Sequence, residues 1–241
     1  MNKAPKFDRI NDIFLGPLER PALKWLAAHM PPWMNPDILT GIGFLGAVII
    51  FTGYALTSLN RGFLWLASFG FLVNWFGDSL DGTLARYRKI ERPRFGFYID
   101  HVVDCAASVL LLLGMGLSPY VNFTIASLTL ISYLMVSILV YLLTIAKGVF
   151  RISSGKIGPT EIRAILIIAN TITFFYSKPL FSSASGGLTI FDILMSILGV
   201  GLLVLFIVNA LMEAKIINEQ EQMELRAKKA KVEEMERTFT P

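Results

Sequence analysis

Residues 71–104 read FLVNWFGDSLDGTLARYRKIERPRFGFYIDHVVD. Two largely apolar stretches flank a short basic segment, and each carries a pair of aspartates close to it. Asp78 and Asp81 fall in the last two turns of the first stretch, Asp100 and Asp104 in the first turns of the second. At about 100° per residue on a helix, Asp78 and Asp81 are about 60° apart, and Asp100 and Asp104 about 40° apart. Each pair therefore occupies one helix face. The connection over residues 87–94 is short enough to make the two helices antiparallel neighbours, so the faces can meet.

Outward from this pair, long apolar blocks recur at 36–58, 62–86, 95–117, 120–146, 160–180 and 189–212. Each has roughly 18 residues or more, the length that crosses about 30 Å of hydrocarbon. The chain is 54% apolar and 17% charged, too oily for an ordinary soluble domain. The expected fold is an all-α membrane protein of six transmembrane helices. Residues 35–212 would form the six-helix membrane domain, 1–34 an interfacial amphipathic segment and 213–241 a charged cytoplasmic helical tail.

The charges orient this arrangement. Of the 22 lysines and arginines, Arg61 and Lys178 lie on one side of the six blocks and the other twenty on the opposite side. The positive-inside rule then predicts that both termini, and the loops 87–94 and 147–159, are cytoplasmic. The basic excess points to anionic lipid headgroups as neighbours, with no nucleic acid partner expected. Residues 1–12 mix charges of both signs with no apolar core, so they do not read as a cleavable signal peptide. The single cysteine, Cys105, makes an intramolecular disulfide impossible and reads as a small apolar helix residue.

Residues 7–30 alternate charged and apolar groups at helical spacing, interrupted by Pro17 and Pro21. They predict one or two interfacial helices, with Trp25 and Trp33 at headgroup level. Asn35 is placed to cap the first span, with Pro36 at its first helical position. The tail from Glu213 to Arg237 is predicted to be a solvated helix supported by neighbouring opposite charges.

Ionisable groups at the depth of the four aspartates cost about 2.5–3.5 kcal/mol each at a helix centre and carry a functional reading by default. Converging without cations, they would repel one another strongly. Oxygen ligands with no nearby Cys or His pair point to Mg²⁺, Mn²⁺ or Ca²⁺, and two ions about 3.5–4 Å apart would suit four bridging carboxylates. The plainer alternative is that the aspartates pair with Arg86, Arg88 and their neighbours. A cation path through a six-span transporter is disfavoured, because no carboxylates are spaced across the remaining depth.

The residues Asp78-x-x-Asp81-Gly82-x-x-Ala85-Arg86, nine further residues, and Gly96-x-x-x-Asp100-x-x-x-Asp104 resemble the signature of the CDP-alcohol phosphotransferase family at all eight positions. The resemblance implies transfer of a substituted phosphate from a CDP-alcohol, such as CDP-diacylglycerol, to an acceptor alcohol with release of CMP. Donors such as CDP-choline or CDP-ethanolamine are the alternative. It implies that Asp78, Asp81 and Asp100 hold Mg²⁺ or Mn²⁺, and that Asp104 joins them and deprotonates the acceptor hydroxyl. Gly82 and Ala85 would leave room for the cytidine. Arg86 would hold a CMP phosphate or a carboxylate, or anchor the helix end. Gly96 would permit close helix approach, and Asn35 and Thr40 would lie near the nucleotide. By analogy the protein would be a homodimer. His101 resembles the Asp-His pair of eukaryotic choline and ethanolamine phosphotransferases, with a structural use favoured.

For the acceptor, Lys156, Thr160, Glu161 and Arg163 border the start of the fifth span. Gly158-Pro159-Thr160-Glu161 resembles the amino-alcohol branch, where a carboxylate would receive a cationic headgroup. Lys156, Arg151 and Arg163 would instead receive an acceptor phosphate. Glu161 also suits a helix N-terminus on electrostatic grounds alone.

Overall fold

The computed structural model describes residues 14–147, 158–176 and 187–239. Among them are seven helices and no strand: α1 (Gly16–His29), α2 (Pro36–Leu56), α3 (Phe63–Arg88), α4 (Pro93–Leu117), α5 (Phe123–Lys147), α6 (Pro159–Phe175) and α7 (Ile190–Phe239). The six apolar blocks correspond to α2 through α7. By length and composition, α2, α4, α5 and α7 qualify to cross a membrane. The other two differ for separate reasons. Polar Asn74, Asp78 and Asp81 and the terminal arginines dilute α3, and α6 has 17 residues.

Local chemistry sets the helix boundaries. Asn35 Oδ1 accepts the Ile38 amide at 2.8 Å, with Pro36 at the first helical position of α2, satisfying one of the donors that a helix start leaves orphaned. α4 and α6 likewise begin at proline, where the missing N–H costs nothing. α3 ends at Lys89, whose φ of 57° lies in the left-handed region. That residue turns the chain toward α4. Residues 16–29 form one helix that tolerates Pro21 in its interior. The charged tail is no separate element, since α7 continues through it as one 50-residue helix.

Packing runs from α6 to α3, α2, α4, α5 and α7, with α1 lying on α3. The α2–α3 contact is the tightest. A Cβ on Gly77 would lie 2.2 Å from the Gly43 nitrogen, and one on Gly46 would lie 2.4 Å from the Asn74 nitrogen. The two backbones therefore touch through hydrogen atoms alone, the close approach that small residues allow between membrane helices. Gly96 differs from expectation. A Cβ there would meet nothing within 4 Å, so α4 begins in open space and its glycine is not at a close helix contact.

Two buried clusters flank this contact. Leu23, Ala27, Met34, Leu39, Leu80 and Leu84 join α1, α2 and α3 at the Asp81 end. Ile50, Tyr54, Leu64, Phe71, Met115 and Leu130 anchor the larger cluster at the other. There Asp192 is 1% exposed, and its carboxylate accepts the amides of Asn122 at 2.6 Å and Thr189 at 2.9 Å. That clasp ties the start of α7 to the turn before α5. Large apolar side chains on α5 and α7, such as Leu142, Val200 and Leu211, stay exposed, as a lipid-facing surface requires.

Candidate active site

One cavity is lined by Thr40 and Gly43 of α2, Asn74, Asp78 and Asp81 of α3, and Asp100, Val103, Asp104 and Ala107 of α4. The four aspartates thus share a single space. The α2–α3 contact accounts for the rest of its wall, since it brings Thr40 beside Asp81. The Thr40 hydroxyl lies 2.6 Å from Asp81 Oδ2 and 3.1 Å from the Pro36 carbonyl. Asp81 is buried, Asp78 and Asp100 are half-buried, and Asp104 is exposed. Exposure therefore increases from Asp81, packed on α3, to Asp104 on the rim formed by α4.

α6 supplies the cation. Arg163 Nη2 donates to Asp78 Oδ2 at 2.5 Å, and Nε donates to Asn74 Oδ1 at 2.8 Å. Asn74 Nδ2 in turn donates to the Gly43 carbonyl at 2.9 Å. Among the described residues, Arg163 Nη1 is the buried side-chain nitrogen or oxygen left without a hydrogen-bond partner. Leaving a donor in that condition costs about 1–3 kcal/mol, so the site holds a hydrogen-bonding capacity that its own side chains do not satisfy.

The remaining sequence candidates separate clearly. Gly82, Ala85 and Arg86 continue α3 beyond the cavity lining. Arg86 is exposed and reaches back over Gly82, whose Cβ would meet its Nη1 at 3.3 Å. Asn35 caps α2 and lies outside the lining. His101 stacks on Phe97 with ring centroids 4.1 Å apart and meets Tyr141 edge-on at 5.0 Å. Lys156 and Arg151 lie outside the described residues.

Thr160 and Glu161 do not line the cavity. Glu161 is 7% exposed, and its two oxygens accept the amides of Leu15 at 2.7 Å and Gly158 at 2.9 Å. Thr160 donates to Glu19 Oε1 at 2.8 Å, which also accepts Trp75 Nε1 at 2.8 Å. Glu161 therefore fastens the start of α1 to the start of α6, and Thr160, through Glu19 and Trp75, joins α6 to α1 and α3. Glu161→Ala is expected to lower thermal stability by about 1–3 kcal/mol, the cost of stranding buried donors. Melting in detergent checks this. A variant that melts like the parent but raises the acceptor KM would return Glu161 to the acceptor pocket.

Asn74 and Gly43 were not among the sequence candidates. Asn74 carries a readable signal, since it stands four residues before Asp78 and seven before Asp81, on their helix face. The four carboxylates of the lining, with no His or Cys among them, suit a hard divalent cation. Among the described residues no three His, Cys, Asp or Glu side chains converge closely enough to define a coordination site. Asp78 engages one oxygen with Arg163, and Asp81 engages both, Oδ2 with the Thr40 hydroxyl and Oδ1 with the Gly82 amide. The donors fit such an ion in chemistry and in shared location.

Fold and cavity together define an all-helical protein, four of whose described helices are long and apolar enough to cross a membrane, with four carboxylates gathered in one cavity. A family model described as CDP-alcohol phosphatidyltransferase matches residues 33–212. The chain belongs to the CDP-alcohol phosphatidyltransferase family, and so is a transferase of phospholipid synthesis. It is 30% identical over 149 residues to an archaetidylinositol phosphate synthase of Methanothermobacter thermautotrophicus, covering 62% of this chain and 72% of the relative. A phosphatidylinositol phosphate synthase of Cutibacterium acnes is 33% identical over 93 residues, 38% of this chain and 40% of that one. Human cholinephosphotransferase 1 is 25% identical over 189 residues, 75% of this chain and 43% of that one.

Proposed function

We propose that this protein transfers a substituted phosphate from CDP-diacylglycerol, or a lipid of the same CDP-alcohol type, to a phosphorylated alcohol, releasing CMP. The observation that carries this reading is the four-aspartate cavity with Arg163 held at its edge. Asp78, Asp81, Asp100 and Asp104 would hold one or two Mg²⁺ or Mn²⁺ ions. When bound, such ions neutralise charge on the pyrophosphate and the leaving CMP. Asp104, the exposed member, takes the proton of the acceptor hydroxyl as it attacks phosphorus. Arg163 offers its unpartnered Nη1 to an anionic oxygen of the acceptor. Gly82 and Ala85 leave space along α3 for the cytidine, with Arg86 beside it.

Two specific observations favour a phosphorylated acceptor over an amino alcohol. The carboxylate proposed to meet a cationic headgroup, Glu161, is buried with both oxygens on backbone amides. The side chain at the cavity edge is a cation instead. The names of the first two relatives, which make inositol phosphate lipids, point the same way. In the bilayer, α3 and α6 join the other four helices as spans. The motif end and both termini then face the cytoplasm, as the distribution of lysine and arginine requires. Pairing of two copies follows from analogy alone.

The test is labelled lipid product from CDP-diacylglycerol with Mg²⁺ and each of inositol phosphate, glycerol phosphate, serine, choline and ethanolamine. Product is expected with a phosphorylated acceptor and none after chelation. Product with serine or choline alone would overturn the acceptor assignment. No CMP from any pairing would overturn the transferase reading of this chain.

A further inference from the structure

Asn74 has no place in the eight-position motif, yet it joins three helices beside the reacting groups. Its backbone lies where Gly46 lets α2 approach, since a Cβ on Gly46 would be 2.4 Å from the Asn74 nitrogen and 2.8 Å from its Cβ. Its amide nitrogen donates to the Gly43 carbonyl of α2. Its oxygen accepts Arg163 Nε of α6. Arg163 Nη2 then holds Asp78, one turn along α3 from Asn74. Both ends of the Asn74 amide are thus engaged, which fixes its orientation as well as its position.

We propose that Asn74 is a positioning residue that acts through Arg163: by fixing the guanidinium it sets the orientation of the Asp78 carboxylate in the four-aspartate cavity. This rests on the proposal that the aspartates hold a divalent cation. The physical reason is geometric. An arginine held only through Nη2 pivots about that one bond, and the carboxylate it holds pivots with it. A second bond at Nε stops the pivot. Removing a side chain that orients a metal ligand from outside typically weakens metal binding by about 10–100-fold.

The test is Mn²⁺ affinity, read from the free-ion electron paramagnetic resonance signal, on full-length protein without substrates. Four proteins are compared: the parent, Asn74→Ala, Arg163→Gln and the double variant. Asn74→Ala is expected to weaken Mn²⁺ binding about tenfold in the parent background and to have no further effect in Arg163→Gln, because its route to Asp78 is then gone. Asn74→Ser, too short to reach Arg163, replaces Asn74→Ala if the latter does not fold. Unchanged affinity in Asn74→Ala would overturn the inference, as would a loss that persists in Arg163→Gln, which would mark Asn74 as a plain packing residue on Gly43. In either case the transferase proposal stands on the parent's own Mn²⁺ binding and CMP release. A parent that binds no Mn²⁺ would overturn the metal reading and this inference together.

Discussion

Asp104→Asn is expected to slow CMP release by about 10²–10⁴-fold, the range that a positioned general base contributes. The substitution keeps the size and shape of the side chain and removes its capacity to accept a proton at a carboxylate oxygen. Asp104 is the variant to make because it is the exposed member of the four and lies on the rim formed by α4. Asp81 is packed against Thr40 and Asp78 is held by Arg163, so changes there disturb the fold of the site as well as its chemistry. Rate measurements at saturating donor and acceptor, with a melting curve to show intact folding, check the expectation. A residual rate within tenfold of the parent would remove Asp104 from the role of base.

Gly77→Ala is expected to be the most damaging glycine-to-alanine substitution among the described residues. The added carbon would lie 2.2 Å from the Gly43 nitrogen, 2.4 Å from the Leu39 carbonyl oxygen and 2.5 Å from the Gly43 Cα. All three are backbone atoms, so no rotamer change relieves the clash and α2 must move off α3. Overpacking of this kind costs about 1–3 kcal/mol and occasionally more. The same movement strains the Thr40–Asp81 and Asn74–Gly43 hydrogen bonds, so turnover is expected to fall beyond the loss of folded protein. Gly41→Ala, on α2 rather than α3, is the control, because a Cβ there meets nothing within 4 Å. Its melting temperature should match the parent. Equal melting of Gly77→Ala and Gly41→Ala would refute the account of the α2–α3 contact.

Much of the helix layout was legible because its determinants are local. Asn35 before Pro36, and Pro159 before Glu161, mark helix starts through capping and fixed backbone torsions. Helical periodicity likewise placed Asp78 with Asp81 and Asp100 with Asp104, and one cavity holds all four. Periodicity identifies a face but not the helix that packs on it. Arg163 meets Asp78 across 85 positions, and Glu161 meets Leu15 across 146. Neither pairing leaves a trace in spacing. The glycines show the same limit, since Gly77 and Gly43 touch while Gly96 stands open. The helix expected from Glu213 onward continues α7, which stays helical from Ile190 to Phe239. The change there is one of solvent, with no residue to interrupt the backbone.

That unbroken α7 has the length of a mast. Fifty residues at 1.5 Å each extend about 75 Å, and a bilayer core takes up about 30 Å of it. Roughly 45 Å is left to stand clear of the hydrocarbon. A bend that laid this part on the headgroups would break consecutive backbone hydrogen bonds, so its reach is set by helix geometry. A probe on Lys229 would therefore report height above the lipid, and tilting of the buried half would be magnified into a displacement at the tip.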